Sequence, residues 1–199
     1  MLRWLAPPLC LSCGADAGRA APLCRACRAR MDATRPSSEG MCWAAFAYDG
    51  PAGALVRALK FGGRTRVADL MAAQIAARIP PEPLVGTVVP VPVHPAHRRR
   101  RGVDHAAALA KALARRMDIG YADCLVRRGD PRPQVGRGRR ERVRGPAGAI
   151  ELRRQPPARV LLVDDVVTTG ATLRVCVAAL QAGGAEQIVP IAYARTAAR

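Results

Sequence analysis

Two groups of side chains in this sequence have the types and spacing to do chemistry. The first is the pair Asp164-Asp165, followed by Val167 and the run Thr168-Thr169-Gly170-Ala171-Thr172. An ionised carboxylate only accepts hydrogen bonds, so two together suit the vicinal hydroxyls of a ribose and can help position a magnesium ion. Threonine hydroxyls and successive backbone N–H groups from Thr168 to Thr172 make a cradle for a dianionic phosphate, and Gly170 allows close backbone approach. A sugar phosphate satisfies both halves. The second group is Cys10, Cys13, Cys24 and Cys27, two CxxC pairs separated by ten residues, with Gly14 turning the backbone after the first pair. Four thiolates so spaced suit a tetrahedral structural zinc, closed to substrate because protein ligands fill it. Disulfides fit less well in a chain expected to be cytoplasmic, where thiols stay reduced. Cys42, Cys124 and Cys176 stand alone among apolar neighbours and are expected to be buried thiols.

These groups need elements to hold them. Pro156 and Pro157 precede Val160-Leu161-Leu162-Val163, a short apolar run that reads as a strand buried on both faces, as in a parallel sheet. The acids then lie at its carboxyl end, where open α/β sheets bind ligands. From Ala171 to Ala182 the apolar residues recur at helical spacing, so a helix N-terminus faces the same crevice and its dipole favours an anion. The whole stretch resembles the 5-phosphoribosyl 1-pyrophosphate (PRPP) signature of type I phosphoribosyltransferases. By that resemblance Asp164 and Asp165 are the catalytic, ribose-contacting acids, the residues from Val167 to Thr172 hold the 5-phosphate, and magnesium accompanies PRPP.

Upstream, Thr34–Gly40 is a Pro/Ser-rich linker, which divides the chain into a zinc-ribbon-like module over 1–35 and a larger α/β domain over 41–199. Trp43–Tyr48 alternates like an opening strand, and Asp49-Gly50-Pro51 turns into a helix. Lys60-Phe61-Gly62-Gly63-Arg64 reads as a break flanked by cations, either a phosphate-holding turn or a helix C-cap with a solvated turn. A helix is expected over Val67–Ile79 and a buried strand over Thr87–Val91, running into Val93-His94 and then Arg98-Arg99-Arg100-Arg101. Guanidinium groups there would match phosphate oxygens, although a solvated basic helix start reads the same way. The three histidines, His94, His97 and His105, have no spacing that makes a metal site, and none is assigned as a base. Val103–Met117 reads as a helix and Ala122–Val126 as a strand, with Ala147–Leu152 and Gln187–Tyr193 completing the sheet.

The charge is strongly positive at +17, and all but two of its 32 cationic residues are arginine. Between Arg98 and Arg154, sixteen arginines and Lys111 face six acids, so +11 of the surplus lies mid-chain. Genome composition and an anionic partner both account for arginine, but the clustering favours the partner. Arg127–Pro146, rich in Arg, Gly and Pro, reads as a long loop that either closes over a ligand or tracks a nucleic-acid backbone. It has no aromatic residue to stack on unpaired bases. No apolar stretch approaches the ~20 residues of a membrane span, and Met1–Leu9 is too short for a secretory leader. The chain is therefore expected in the cytoplasm.

The cysteine module, Tyr48-Asp49-Gly50-Pro51, Leu59–Gly63, Val89-Pro90-Val91-Pro92-Val93-His94-Pro95, Arg101-Gly102 and the PRPP signature, in this order, resemble the ComF family of bacterial competence proteins. The resemblance implies a type I phosphoribosyltransferase fold, a mostly parallel sheet flanked by helices, with a small N-terminal zinc module. It also implies Lys60, Val93, His94, Arg98 and Arg101 on the pyrophosphate side of the ligand, and a link to DNA uptake. Single-stranded DNA and proteins of the competence machinery are the partners it suggests. One departure stands out: where the family usually has Arg-Gly-Phe-Asn-Gln, this chain has Arg101-Gly102-Val103-Asp104-His105. Three readings stay open: a transferase of unknown acceptor, a DNA- or partner-binding protein on the same fold, and a ligand sensor without catalysis.

Overall fold

Pro156 is buried and Pro157 half-buried just ahead of the central strand, in a computed structural model that describes residues 9–18, 21–38, 40–62, 65–84, 86–94, 104–128 and 150–197. In chain order the elements are α1 (Arg25–Asp32), β1 (Trp43–Ala47), α2 (Gly50–Gly62), α3 (Thr65–Arg78), β2 (Thr87–Pro90), α4 (His105–Met117), β3 (Leu125–Arg127), β4 (Ile150–Leu152), β5 (Arg159–Val167), α5 (Ala171–Ala182) and β6 (Gln187–Arg195). Four strands form an all-parallel sheet in the order β1-β6-β5-β2.

Burial on both faces explains the apolar run. Leu161, Leu162 and Val163 are 0% exposed, each contributing about 1.5–3 kcal/mol by leaving water. Leu161 and Val163 join Leu55 and Leu59 of α2, Met71 and Ile75 of α3, and Leu109 and Leu113 of α4 in one core. Val160 and Leu162 join Leu173, Cys176 and Leu180 of α5 in the other. Tyr193 of β6 is fully buried, and its hydroxyl donates to Gln74 Oε1 at 2.7 Å, which meets the hydrogen-bonding need of both polar groups.

Two expectations are corrected. Ala147–Leu152 does not complete the sheet: β4 pairs antiparallel with β3 in a separate two-stranded sheet. Beside β2 the main sheet gains, among the described residues, the single bridge Val88–Tyr121, after which the chain turns away and buries Cys124 and Leu125 on the α5 side. The helix expected from Val103 begins at His105, because Asp104 takes the N-cap and its Oδ1 accepts from Ala107 N at 2.9 Å. Such a cap is worth about 1 kcal/mol. Lys60, Phe61 and Gly62 close α2 and α3 starts at Thr65, as the helix C-cap alternative has it; Gly63 and Arg64 lie outside the described residues. Arg98, Arg101, His97 and most of the arginine-rich stretch (129–149) lie outside the described residues.

The Pro/Ser-rich stretch is pinned rather than slack. Ser37 bridges Ala44. Arg78 donates to the carbonyls of Thr34 and Ala45 while lying 4.4 Å from the centroid of the Phe46 ring. Arg195 donates to Ser37 Oγ at 3.2 Å and to the Cys42 carbonyl at 2.6 Å. Cys10, Leu23, Cys24, Cys27 and Met31 belong to the same apolar cluster as Phe46, Leu55 and Val56.

Candidate functional site

The acids sit in the second half of β5, with two residues of strand after them, because Val166 and Val167 go on pairing with Ala194 and Arg195 of β6. Adjacent strand residues project to opposite faces. Asp165 follows Leu161 and Val163 toward the α2 side and is 3% exposed. Its Oδ2 lies 3.0 Å from Lys60 Nζ, in the last turn of α2, and 3.6 Å from His105 Nε2, in the first turn of α4. Asp164 is half-buried on the other side, and its Oδ1 accepts from the Asp165 N–H at 2.8 Å. Burial, then the neighbouring Asp165 charge, push Asp164 up to about 8 despite that hydrogen bond and Lys60. An acid so raised holds a proton near neutrality and gives it up to solvent when a cation or a hydrogen-bond donor reaches its oxygens.

Beyond β5 the chain turns through Thr168 and Thr169, both exposed, to Gly170. Gly170 is the N-cap of α5 with φ +71°, a conformation side chains rarely adopt. The Thr169 hydroxyl accepts from Ala171 N at 3.3 Å, and the Thr169 carbonyl accepts from Arg174 at 3.0 Å. Thr172 is half-buried in the first turn, which carries no acid to repel an anion. Val167 is 3% exposed and its carbonyl accepts from Thr196 N, so its side chain belongs to the core. The loop after β2 leaves the sheet at the level of the acids, Val91 N donating to the Val163 carbonyl at 2.9 Å. Val93 there is half-buried and His94 buried.

The four cysteines of the N-terminal segment converge as their spacing predicts. Their sulfur atoms all lie within 4.8 Å of one another, and Cys13 Sγ is 3.6 Å from Cys24 Sγ. A tetrahedral zinc with Zn–S bonds of about 2.3 Å separates its sulfurs by roughly 3.8 Å, so the set could hold a zinc ion. Burial opposes ionisation at Cys10, yet hydrogen bonds from the backbone at Cys13, Cys24 and Ser12 lower it to about 6. Burial pushes Cys27 up to about 12, and a cation bound by the four sulfurs would favour its thiolate. The other three cysteines are buried, and burial raises their thiols, Cys42 and Cys176 to about 12.

Residues 103–197 match the phosphoribosyl transferase domain family. Competence protein F of Haemophilus influenzae is 33% identical over 106 residues, 51% of this chain and 46% of that protein. The chain is a ComF-like protein of the phosphoribosyltransferase fold. It spans about half the length of that curated relative. Adenine phosphoribosyltransferase from Rhodothermus marinus is 18% identical with a TM-score of 0.38, covering 68% of this chain and 82% of that one.

In this ComF-like chain the residues that depart from the family's loop have visible work. Asp104 caps α4, and His105 is 6% exposed against Asp165. Sequence reasoning left His105 without a role because its partner lies 60 positions away on another element. The available signal was its place at the start of a helix whose alanine face must pack on the sheet. A separate open hollow of ≈ 460 Å³ lies at the other end of α4, lined by Lys111, Arg115 and Tyr121 among others, away from the acids.

Proposed function

We propose that this chain binds PRPP, or a related phosphoribosyl ligand, at the carboxyl end of β5, and that it transfers the phosphoribosyl group to an acceptor. The observation that carries the reading is the joining of a strand-borne acid pair to the exposed Thr168-Thr169 turn and the Gly170-capped α5, within the stretch that matches the phosphoribosyl transferase domain family. The 5-phosphate lies on the turn, where α5's N–H groups and the threonine hydroxyls donate to it. The ribose lies over the end of β5, with a carboxylate accepting from its hydroxyls.

Transfer is displacement of pyrophosphate from C1 of the ribose by a nucleophile, with oxocarbenium character in the transition state. The chain's part is positioning and electrostatics: the turn fixes one end of the ligand, the acid fixes the sugar, and the Lys60 ammonium faces the departing charge. Asp164, whose oxygen donors fit so hard a cation, would hold a magnesium ion that would supply charge neutralisation at the diphosphate. We extend the competence connection in the relative's name to this chain, with a cytoplasmic role in handling incoming DNA. The mid-chain arginine surplus supports an anionic partner of that kind. No helix among the described residues is long and apolar enough to cross a membrane.

Calorimetric titration with PRPP and Mg²⁺ tests the reading. Wild type is expected to bind and Asp164→Asn to lose about tenfold or more in affinity, as for a lost hydrogen bond to a charged group. A folded, metal-loaded wild type that does not bind sinks it. Pyrophosphate release on adding candidate acceptors then reports turnover.

A further inference from the structure

The two acids are adjacent in sequence but not alike in place. Asp165's side chain is 4% exposed, and its Oδ2 already faces Lys60 Nζ at 3.0 Å and His105 Nε2 at 3.6 Å. A sugar hydroxyl reaches that oxygen only by displacing one of them. Asp164 is half-buried, and apart from the Asp165 N–H its carboxylate has acceptor capacity to spare. Lys60's side chain is 23% exposed, so it is open to solvent to an extent that Asp165 is not.

The sheet separates these groups further. The turn 168–170 leads into α5, which packs on the Leu162 face, while Lys60 comes from α2 on the Leu161 and Val163 face. A ligand whose ribose sits over the end of β5, with its 5-phosphate on the α5 turn, points the substituent at C1 toward Lys60. An ammonium has three N–H donors, so it can keep its ion pair with Asp165 while donating to phosphate oxygens. Its flexible four-carbon stem gains most from being held in advance.

Resting on the phosphoribosyl-ligand reading above, we propose that Asp165 is a positioning residue: its ion pair with Lys60, backed by His105, holds the ammonium where the ligand's diphosphate arrives, while Asp164 alone meets the ribose. His105 acts through Asp165. Lys60 touches the ligand.

The test compares two ligands on the full, metal-loaded chain: Mg²⁺ with PRPP, and Mg²⁺ with ribose 5-phosphate, which lacks the diphosphate. Wild type, Lys60→Met, Lys60→Arg, Asp165→Asn and the double variant Lys60→Met/Asp165→Asn are titrated calorimetrically, after circular dichroism has shown them folded. Lys60→Met is expected to weaken PRPP by about tenfold or more and ribose 5-phosphate by less than about twofold. Asp165→Asn is expected to repeat that selective loss, and the double variant to be no weaker than Lys60→Met. Lys60→Arg, which keeps the charge, is expected to retain the preference for PRPP. If Asp165→Asn weakens both ligands alike, or its loss adds to that of Lys60→Met, Asp165 acts on the ribose and the inference is overturned alone. If wild type binds neither ligand, the phosphoribosyl reading and this inference fall together. Should Asp165→Asn not fold, Asp165→Glu, whose extra methylene displaces the ammonium, carries the same comparison.

Discussion

Replacing Lys60 by methionine isolates what its charge does for the fold, because methionine keeps the unbranched apolar stem. The change strands Asp165, 3% exposed, with His105 at 3.6 Å as the remaining cationic candidate on its Oδ2. Breaking a fully buried ion pair costs about 3–5 kcal/mol. Lys60 is 23% exposed, so water already shares its charge, and the expected loss falls to about 2 kcal/mol. For a chain of this size that lowers the melting temperature by roughly 4–8 °C. The partner change, Asp165→Asn, leaves a lysine that can turn to solvent and a neutral amide, and should cost only about 1 kcal/mol. The double variant should therefore be more stable than Lys60→Met alone, by about 1 kcal/mol, because the stranded charge is gone. Urea unfolding followed by circular dichroism measures all three. A Lys60→Met variant no less stable than Asp165→Asn, or a double variant showing the plain sum of the two losses, would refute the reasoning.

Asp164, raised by burial from its ordinary 3.8 to about 8, keeps a proton in the folded protein that the unfolded chain gives up. Its stabilising contribution is full below about pH 4 and lost as the pH rises through about 8, so melts of the ligand-free protein should decline across that window and Asp164→Asn should flatten the decline; an unchanged slope contradicts the assignment. Elemental analysis should find about one zinc per chain, and Cys10→Ser should both lose the metal and lower the melting temperature of the whole protein, since Cys10 shares a core with Phe46 and Leu55. Metal loss with no change in melting would show the module to be independent.

What was legible in the sequence is what short-range periodicity encodes. The helix after the threonine turn spans Ala171–Ala182 as its apolar spacing predicts, and the two CxxC pairs converge as their spacing predicts. The opposite facing of Asp164 and Asp165 follows from the two-residue repeat of a strand. The pairing of both Lys60 and His105 with Asp165 joins three elements far apart in the chain, and no local pattern marks it. The partner of β4 is hidden for a related reason: three-residue strands such as β3 and β4 carry too little pattern to say which edge they meet. The pinning of residues 34–38 depends on Arg78 and Arg195, whose partners composition does not reveal.

The strand order bears on how the chain is made. β6 lies between β1 and β5, which do not touch each other in the sheet. On a ribosome the chain therefore emerges with β1 waiting alone and β5 paired only with β2, each offering an open, apolar edge. Only when residues 187–195 leave the exit tunnel can the two halves be joined, so closure is late, long-range and all at once. The synthesis interval between β1 and β6 is the time in which this protein most needs protection from pairing with a neighbour.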